Sequence, residues 1–155
     1  MDESILKDML SGTVVIACVG NELRGDDGIG PFISRLIEDS GAVRVVDCGE
    51  TPENYLGVIA RFKPEKVVVI DAAEFGGRPG EIRLVKKSEI AGGGASTHDA
   101  ILTLFTDFIE HETGAKTFFL AVQPGRTDVG TGLSPPVEAA GRQVAATINR
   151  ILQNL

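Results

Sequence analysis

The tightest constraint on this chain is one turn, Gly20-Asn21-Glu22-Leu23-Arg24-Gly25-Asp26-Asp27-Gly28-Ile29-Gly30. It follows the apolar run Thr13–Val19 and precedes an amphipathic helical pattern. A strand, a glycine-rich turn with two adjacent acids, and a helix describe the start of an open α/β sheet. Such sheets bind ligands beyond the carboxyl ends of their strands. A pair of acids there suits a cation or proton chemistry better than a phosphate.

The rest of the chain repeats the alternation. Ile5, Leu6, Met9 and Leu10 suggest a short first helix. Ile29, Phe32, Ile33, Leu36 and Ile37 recur with helical period across Gly28–Asp39. Ala42–Cys48 reads as a second strand, and Thr51-Pro52 as the cap and first turn of a helix burying Tyr55, Leu56 and Ile59. Lys66–Ile70 carries Val-Val-Val-Ile, the pattern of a strand buried on both faces. Glu74–Gly80 is a loop, and Glu81–Val85 alternates like an edge strand. Ala91–Ser96 is a flexible glycine-rich loop. Thr97 opens a helix to about His111, with Ile101, Leu104, Phe105 and Phe108 inward. Lys116–Val122 is another buried strand, and Gln123–Gly132 a long loop. Ser134-Pro135 starts a last helix with the stripe Val137, Ala140, Val144, Ile148, Ile151 and Leu155. The reading is a single α/β domain over residues 1–155. It has a twisted, mostly parallel sheet of about five strands with helices on both faces.

Charge and composition narrow the function. The net charge of −7 argues against nucleic acid or an anionic membrane as partner. No apolar run approaches the roughly 20 residues that span a bilayer. Met1-Asp2-Glu3 lacks the basic start of a secretory signal, so the expected compartment is the cytoplasm. Cys18 and Cys48 lie in strand-like runs and read as buried free thiols. The glycine spacing does not match Gly-x-Gly-x-x-Gly, and Asp26 and Asp27 would repel a pyrophosphate, so a dinucleotide is not expected. No Gly-x-Ser-x-Gly elbow is present, which disfavours an ordinary serine hydrolase.

Three polar residues fall where strands end or a helix begins: Asp27, Asp71 and His98. In a parallel sheet the two acids share one edge, and a glycine loop before His98 lets it close on them. Two carboxylates and an imidazole leave coordination positions open, as a working metal site requires. Each also has a plainer role. Asp27 suits a helix N-terminus, Asp71 suits a turn, and His98 suits an exposed first turn. Asp26 reads as shaping the turn, and Asp47 as a supporting residue at the end of the second strand.

The first motif resembles the opening of the hydrogenase maturation endopeptidases. The resemblance continues through Asp47-Cys48-Gly49-Glu50-Thr51-Pro52-Glu53-Asn54, Val69-Ile70-Asp71-Ala72, Pro79-Gly80-Glu81-Ile82 and Ser96-Thr97-His98-Asp99. It resumes at Val122-Gln123-Pro124 and Gly132-Leu133-Ser134-Pro135. It is nearest to the branch serving formate-hydrogenlyase-type or archaeal hydrogenases. It implies an endopeptidase that removes the C-terminal extension from the nickel-loaded precursor of a [NiFe]-hydrogenase large subunit. Asp27, Asp71 and His98 are implied as both metal ligands and catalytic residues, with Asp where some members carry Glu at position 27. The nickel belongs to the precursor, and zinc or cadmium is expected to replace it in crystals. The enzyme is expected to be a monomer. A non-proteolytic nickel-sensing or chaperone-like module on the same fold is the alternative.

Overall fold

The computed structural model describes residues 1–87 and 97–155; residues 88–96, and the side chains at 86 and 97–99, lie outside the described set. The glycine-rich stretch Ala91–Ser96 therefore lies outside the described residues.

Five strands form one sheet: β1 (Val14–Val19), β2 (Val43–Gly49), β3 (Lys66–Ala72), β4 (Ile82–Lys86) and β5 (Lys116–Val122), in the order β2-β1-β3-β5-β4. β2, β1, β3 and β5 run parallel, and β4 pairs antiparallel with β5 at one edge. The expected edge strand is thus in place, shifted by one residue. All six residues of β1 are buried, because helices cover both of its faces.

The chain order places β2 on one side of β1 and β3 on the other. The two connections leaving this point run to opposite sides, opening a crevice at the carboxyl ends of β1 and β3. An open α/β sheet offers its ligand site at such a reversal.

Helices α1 (Glu3–Met9), α2 (Ile29–Ser34) and α5 (Pro135–Gln153) cover one face, meeting Val14, Ile16, Cys18, Val68, Ile70 and Leu120. Helices α3 (Leu56–Arg61) and α4 (Thr97–Thr113) cover the other, over Val15, Ala17, Val19, Val67, Val69 and Phe119. Alternate residues of each strand serve alternate layers, as strand geometry dictates.

Three local expectations shift. The helix expected to reach Asp39 stops at Ser34, although Ile37 still packs inward. Asn149 of α5 ends it, donating Nδ2 to Leu36 O at 2.8 Å and accepting Glu38 N–H at 3.0 Å. On α4 the buried stripe is Leu102, Phe105 and Ile109, whereas Leu104 and Phe108 face solvent at 69% and 42% exposure. Both stripes have helical spacing, and packing against β1 and β3 selects one. Leu155 lies beyond the end of α5 and is exposed.

Candidate functional site

Between β1 and α2 the chain makes a 3-10 turn, Gly25–Gly28, that carries both acids. Two glycines are required by close approach. A Cβ on Gly30 would lie 2.1 Å from Val19 O, so only glycine lets α2 start directly over the end of β1. Gly25 has φ +56° and a Cβ there would lie 2.6 Å from Arg126 O. The loop closes on itself through Asn21 N–H to Asp27 O at 3.0 Å and Asp27 N–H to Arg24 O at 3.1 Å. Asn21 also ties it to the end of β2, donating Nδ2 to Glu50 Oε2 at 2.8 Å.

The adjacent acids have opposite surroundings. Asp26 is fully buried and accepts four hydrogen bonds. Its Oδ2 takes Gly125 N–H at 2.8 Å, Arg126 N–H at 2.9 Å and Ser134 Oγ–H at 2.8 Å. Its Oδ1 takes Ser134 N–H at 2.6 Å. Burial pushes this carboxyl up, but the donors from Ser134, Arg126 and Gly125 outweigh it and hold it below the ordinary aspartate value. Asp26 therefore joins the first loop to the loop before α5, and Ser134 spends its side chain here instead of capping its own helix. Asp27 is half-buried, and its carboxylate accepts no hydrogen bond among the described residues.

Asp71 lies inside β3, opposite Ala121 of β5 and one residue past the last pairing of β3 with β1. It is buried and accepts the Ala72 N–H at 2.8 Å. Alternation from Val67 and Val69 assigns position 71 to the layer of α3 and α4. The Gly25–Gly28 turn contacts β3, so the structure brings the segments bearing Asp27 and Asp71 together across the crevice. His98 is in the first turn of α4, one helical turn before the buried Leu102. Its side chain lies outside the described residues.

The donor set tests whether a metal fits. Aspartate oxygens and an imidazole suit a borderline divalent ion such as nickel or zinc. Among the described residues no group of three or more His, Cys, Asp or Glu side chains is arranged to hold an ion. A metal here would be held by Asp27 and Asp71, with the third ligand coming from α4 or from the substrate.

Asp47 is exposed and accepts the Gly49 N–H at 3.0 Å, which shapes the end of β2. Cys18 and Cys48 are buried free thiols. Burial pushes both up, Cys48 to about 12, so neither supplies a thiolate. Gln123, read as the start of a loop and as part of the Val122-Gln123-Pro124 motif but given no role, is buried and organises residues 73–81. Its Oε1 accepts Phe75 N–H at 2.9 Å and Gly77 N–H at 3.1 Å, and its Nε2 donates to Glu74 Oε2 at 2.7 Å. Its signals in the sequence were that motif and a polar residue directly after a buried strand.

Comparison with known proteins agrees with this fold. A family model described as hydrogenase maturation protease matches residues 32–151, a span that includes Asp71 and His98 and begins just past Asp27. The chain is 32% identical to the hydrogenase 3 maturation protease of Escherichia coli K12 over 131 residues, 83% of each chain. It is 25% identical to a putative hydrogenase maturation protease of Methanocaldococcus jannaschii, covering 92% of this chain and 89% of the relative. Among solved structures, a [NiFe] hydrogenase maturation protease from Thermococcus kodakarensis KOD1 superposes with a TM-score of 0.89 at 35% identity. That match covers 97% of this chain and 99% of the other.

Proposed function

The chain belongs to the hydrogenase maturation protease family, and on that premise we propose that it removes the C-terminal extension from the nickel-loaded precursor of a [NiFe]-hydrogenase large subunit. The observation that supports the reading is the contact of the Gly25–Gly28 turn, which bears Asp27, with β3, which bears Asp71, with Asp27's carboxylate uncommitted among the described residues. Asp26, its neighbour, holds the loop so that Asp27 does not have to. His98, in the first turn of α4, is the third ligand and catalytic partner in this reading.

The nickel is part of the substrate. Carboxylate oxygens and an imidazole receive such an ion without the soft thiolates that would strip it from its owner. Binding to nickel and positioning of the extension thereby become one event, and an empty precursor lacks the feature that docks it. The uncommitted carboxylate of Asp27 accepts the proton of an attacking water, and Asp71, hydrogen-bonded in the strand, keeps its orientation. The protein works as a monomer in the cytoplasm.

The test is incubation of the purified protein with nickel-loaded and nickel-free precursor, with the C-terminus read by mass spectrometry. Loss of the extension only from the loaded form is the expected result. Tight binding without shortening would assign the chain to nickel sensing or chaperoning instead. Cleavage of the nickel-free form, or of a short peptide copy of the extension, would overturn nickel recognition.

A further inference from the structure

We propose that Leu23 and Val129 form the anchor by which this protease docks the folded precursor, a step that rests on the function proposed above and adds the contact surface to it. Among the described residues, eight large apolar side chains are exposed. Met1 and Leu155 are terminal, Ile5, Val58, Leu104 and Phe108 lie on helices, and only Leu23 and Val129 stand on loops. They are 71% and 72% exposed, in loops where polar residues carry no such solvation cost.

The two loops are one surface. Leu23 O accepts the Gly130 N–H at 2.9 Å, and Asp26 N–H donates to Arg126 O at 2.8 Å. Asp26's carboxylate fastens the base of the second loop from below. Leu23 N–H is held by Asn21 Oδ1 at 2.9 Å, and Thr131 Oγ donates to Asp128 O at 2.8 Å. Both apolar residues are therefore presented on a fixed backbone. Pre-organised apolar anchors lose little entropy on binding, which is how a few residues come to carry an interface.

Position identifies the occupant. Leu23 shares its short, self-closed loop with Asp27. A protein whose scissile bond reaches Asp27 and Asp71 must lie across this loop and its neighbour. Arg24 and Arg126 flank the pair, both exposed and without an ion pair among the described residues, whereas Arg35, Arg142 and Arg150 are each bridged to a glutamate. The matching surface on the precursor is an apolar hollow beside the extension, flanked by carboxylates. An apolar centre with a charged rim is the usual anatomy of such contacts.

The experiment compares wild type, Leu23→Ser/Val129→Ser and a distant control, Leu104→Ser/Phe108→Ser, using full-length nickel-loaded precursor. Processing kinetics, melting temperature and direct binding by calorimetry are read for each. The expected result for the loop pair is a KM and Kd at least tenfold higher, with kcat within twofold and melting temperature unchanged. Arg24→Glu/Arg126→Glu should raise KM further at low salt than at high salt. Unchanged KM and Kd, an equal loss in the control pair, or a fall in kcat with melting temperature would each overturn the proposal. A concentration-dependent dimer abolished by Leu23→Ser/Val129→Ser would assign the patch to a second copy and overturn it too. Should wild type bind the precursor without cutting it, the protease reading fails while the binding comparison still decides this one.

Discussion

The two ends of the sheet treat their polar groups differently. At the amino end, charge and backbone are consumed in fastening elements. Glu65 N–H meets Thr13 O at 2.8 Å, Lys116 N–H meets Glu65 O at 2.9 Å, and Lys66 Nζ donates to Asp8 O and Ser11 Oγ. Lys87 bridges Asp107 and Glu110, and Thr117 hydrogen-bonds Glu110. At the carboxyl end, Asp26 and Gln123 do most of the comparable fastening, with Asn21 and Ser134 beside them, and together they organise the loops. That economy leaves Asp27 uncommitted in a fixed place. A site is found where buried structure supports a polar group that has not itself been used up.

The strongest test of that contrast removes the uncommitted end. Asp27→Ala, Asp71→Asn and His98→Ala should each lower precursor processing on the order of 100-fold or more, the usual scale for a lost acid–base group. His111, 87% exposed at its side chain near the other end of α4, should tolerate alanine with normal processing. An equal loss at His111 would move the site.

Asp26 should behave oppositely, through stability. Asp26→Ala orphans donors from Gly125, Arg126 and Ser134 and should cost about 3 kcal/mol or more. For a chain of this length that is roughly 6–12 °C in Tm by calorimetry. The pH dependence follows from its lowered carboxyl. The ionised form is favoured on folding, so its contribution is complete above about pH 4, the ordinary aspartate value, and is lost as pH falls through the folded value. The stability gap between wild type and Asp26→Asn should be wide at neutral pH and should close on acidification in denaturant titrations. A gap independent of pH would deny the clamp.

The sequence carried the layers of this fold because each apolar run was long enough to choose its own period. Val67–Ile70 and Lys116–Val122 needed no partner to be recognised as buried strands. What it withheld depended on distant residues. The end of α2 is decided by Asn149, 113 positions from Leu36, and nothing local marks Ser34 as a stop. On α4 the segment Ile101–Ile109 holds two overlapping apolar stripes, and only the sheet beneath selects between them. That the turn bearing Asp27 meets the strand bearing Asp71 was legible because strand ends in a parallel sheet share an edge. Asp26 was legible as the residue that shapes the turn, but its partners were not, since Gly125, Arg126 and Ser134 lie about a hundred residues away.

Two smaller effects sharpen the comparison. Gln123→Ala removes the acceptor for Phe75 and Gly77 N–H and should cost about 2 kcal/mol in urea unfolding, with a further loss of processing as residues 73–81 loosen. Lys87→Met, at the other end, should change stability by no more than about 1 kcal/mol and leave processing rates alone. A large activity loss from Lys87→Met would show that the ends are coupled.

The bond between Asp26 and Ser134 spans 108 residues of chain. Closing so long a loop is slow, and the contact is unavailable until Ser134, just ahead of α5, has joined the folded part of the chain. Until then the turn that bears both acids lacks its anchor. A chain cut short before Ser134 would therefore present Asp27 on an unfastened turn.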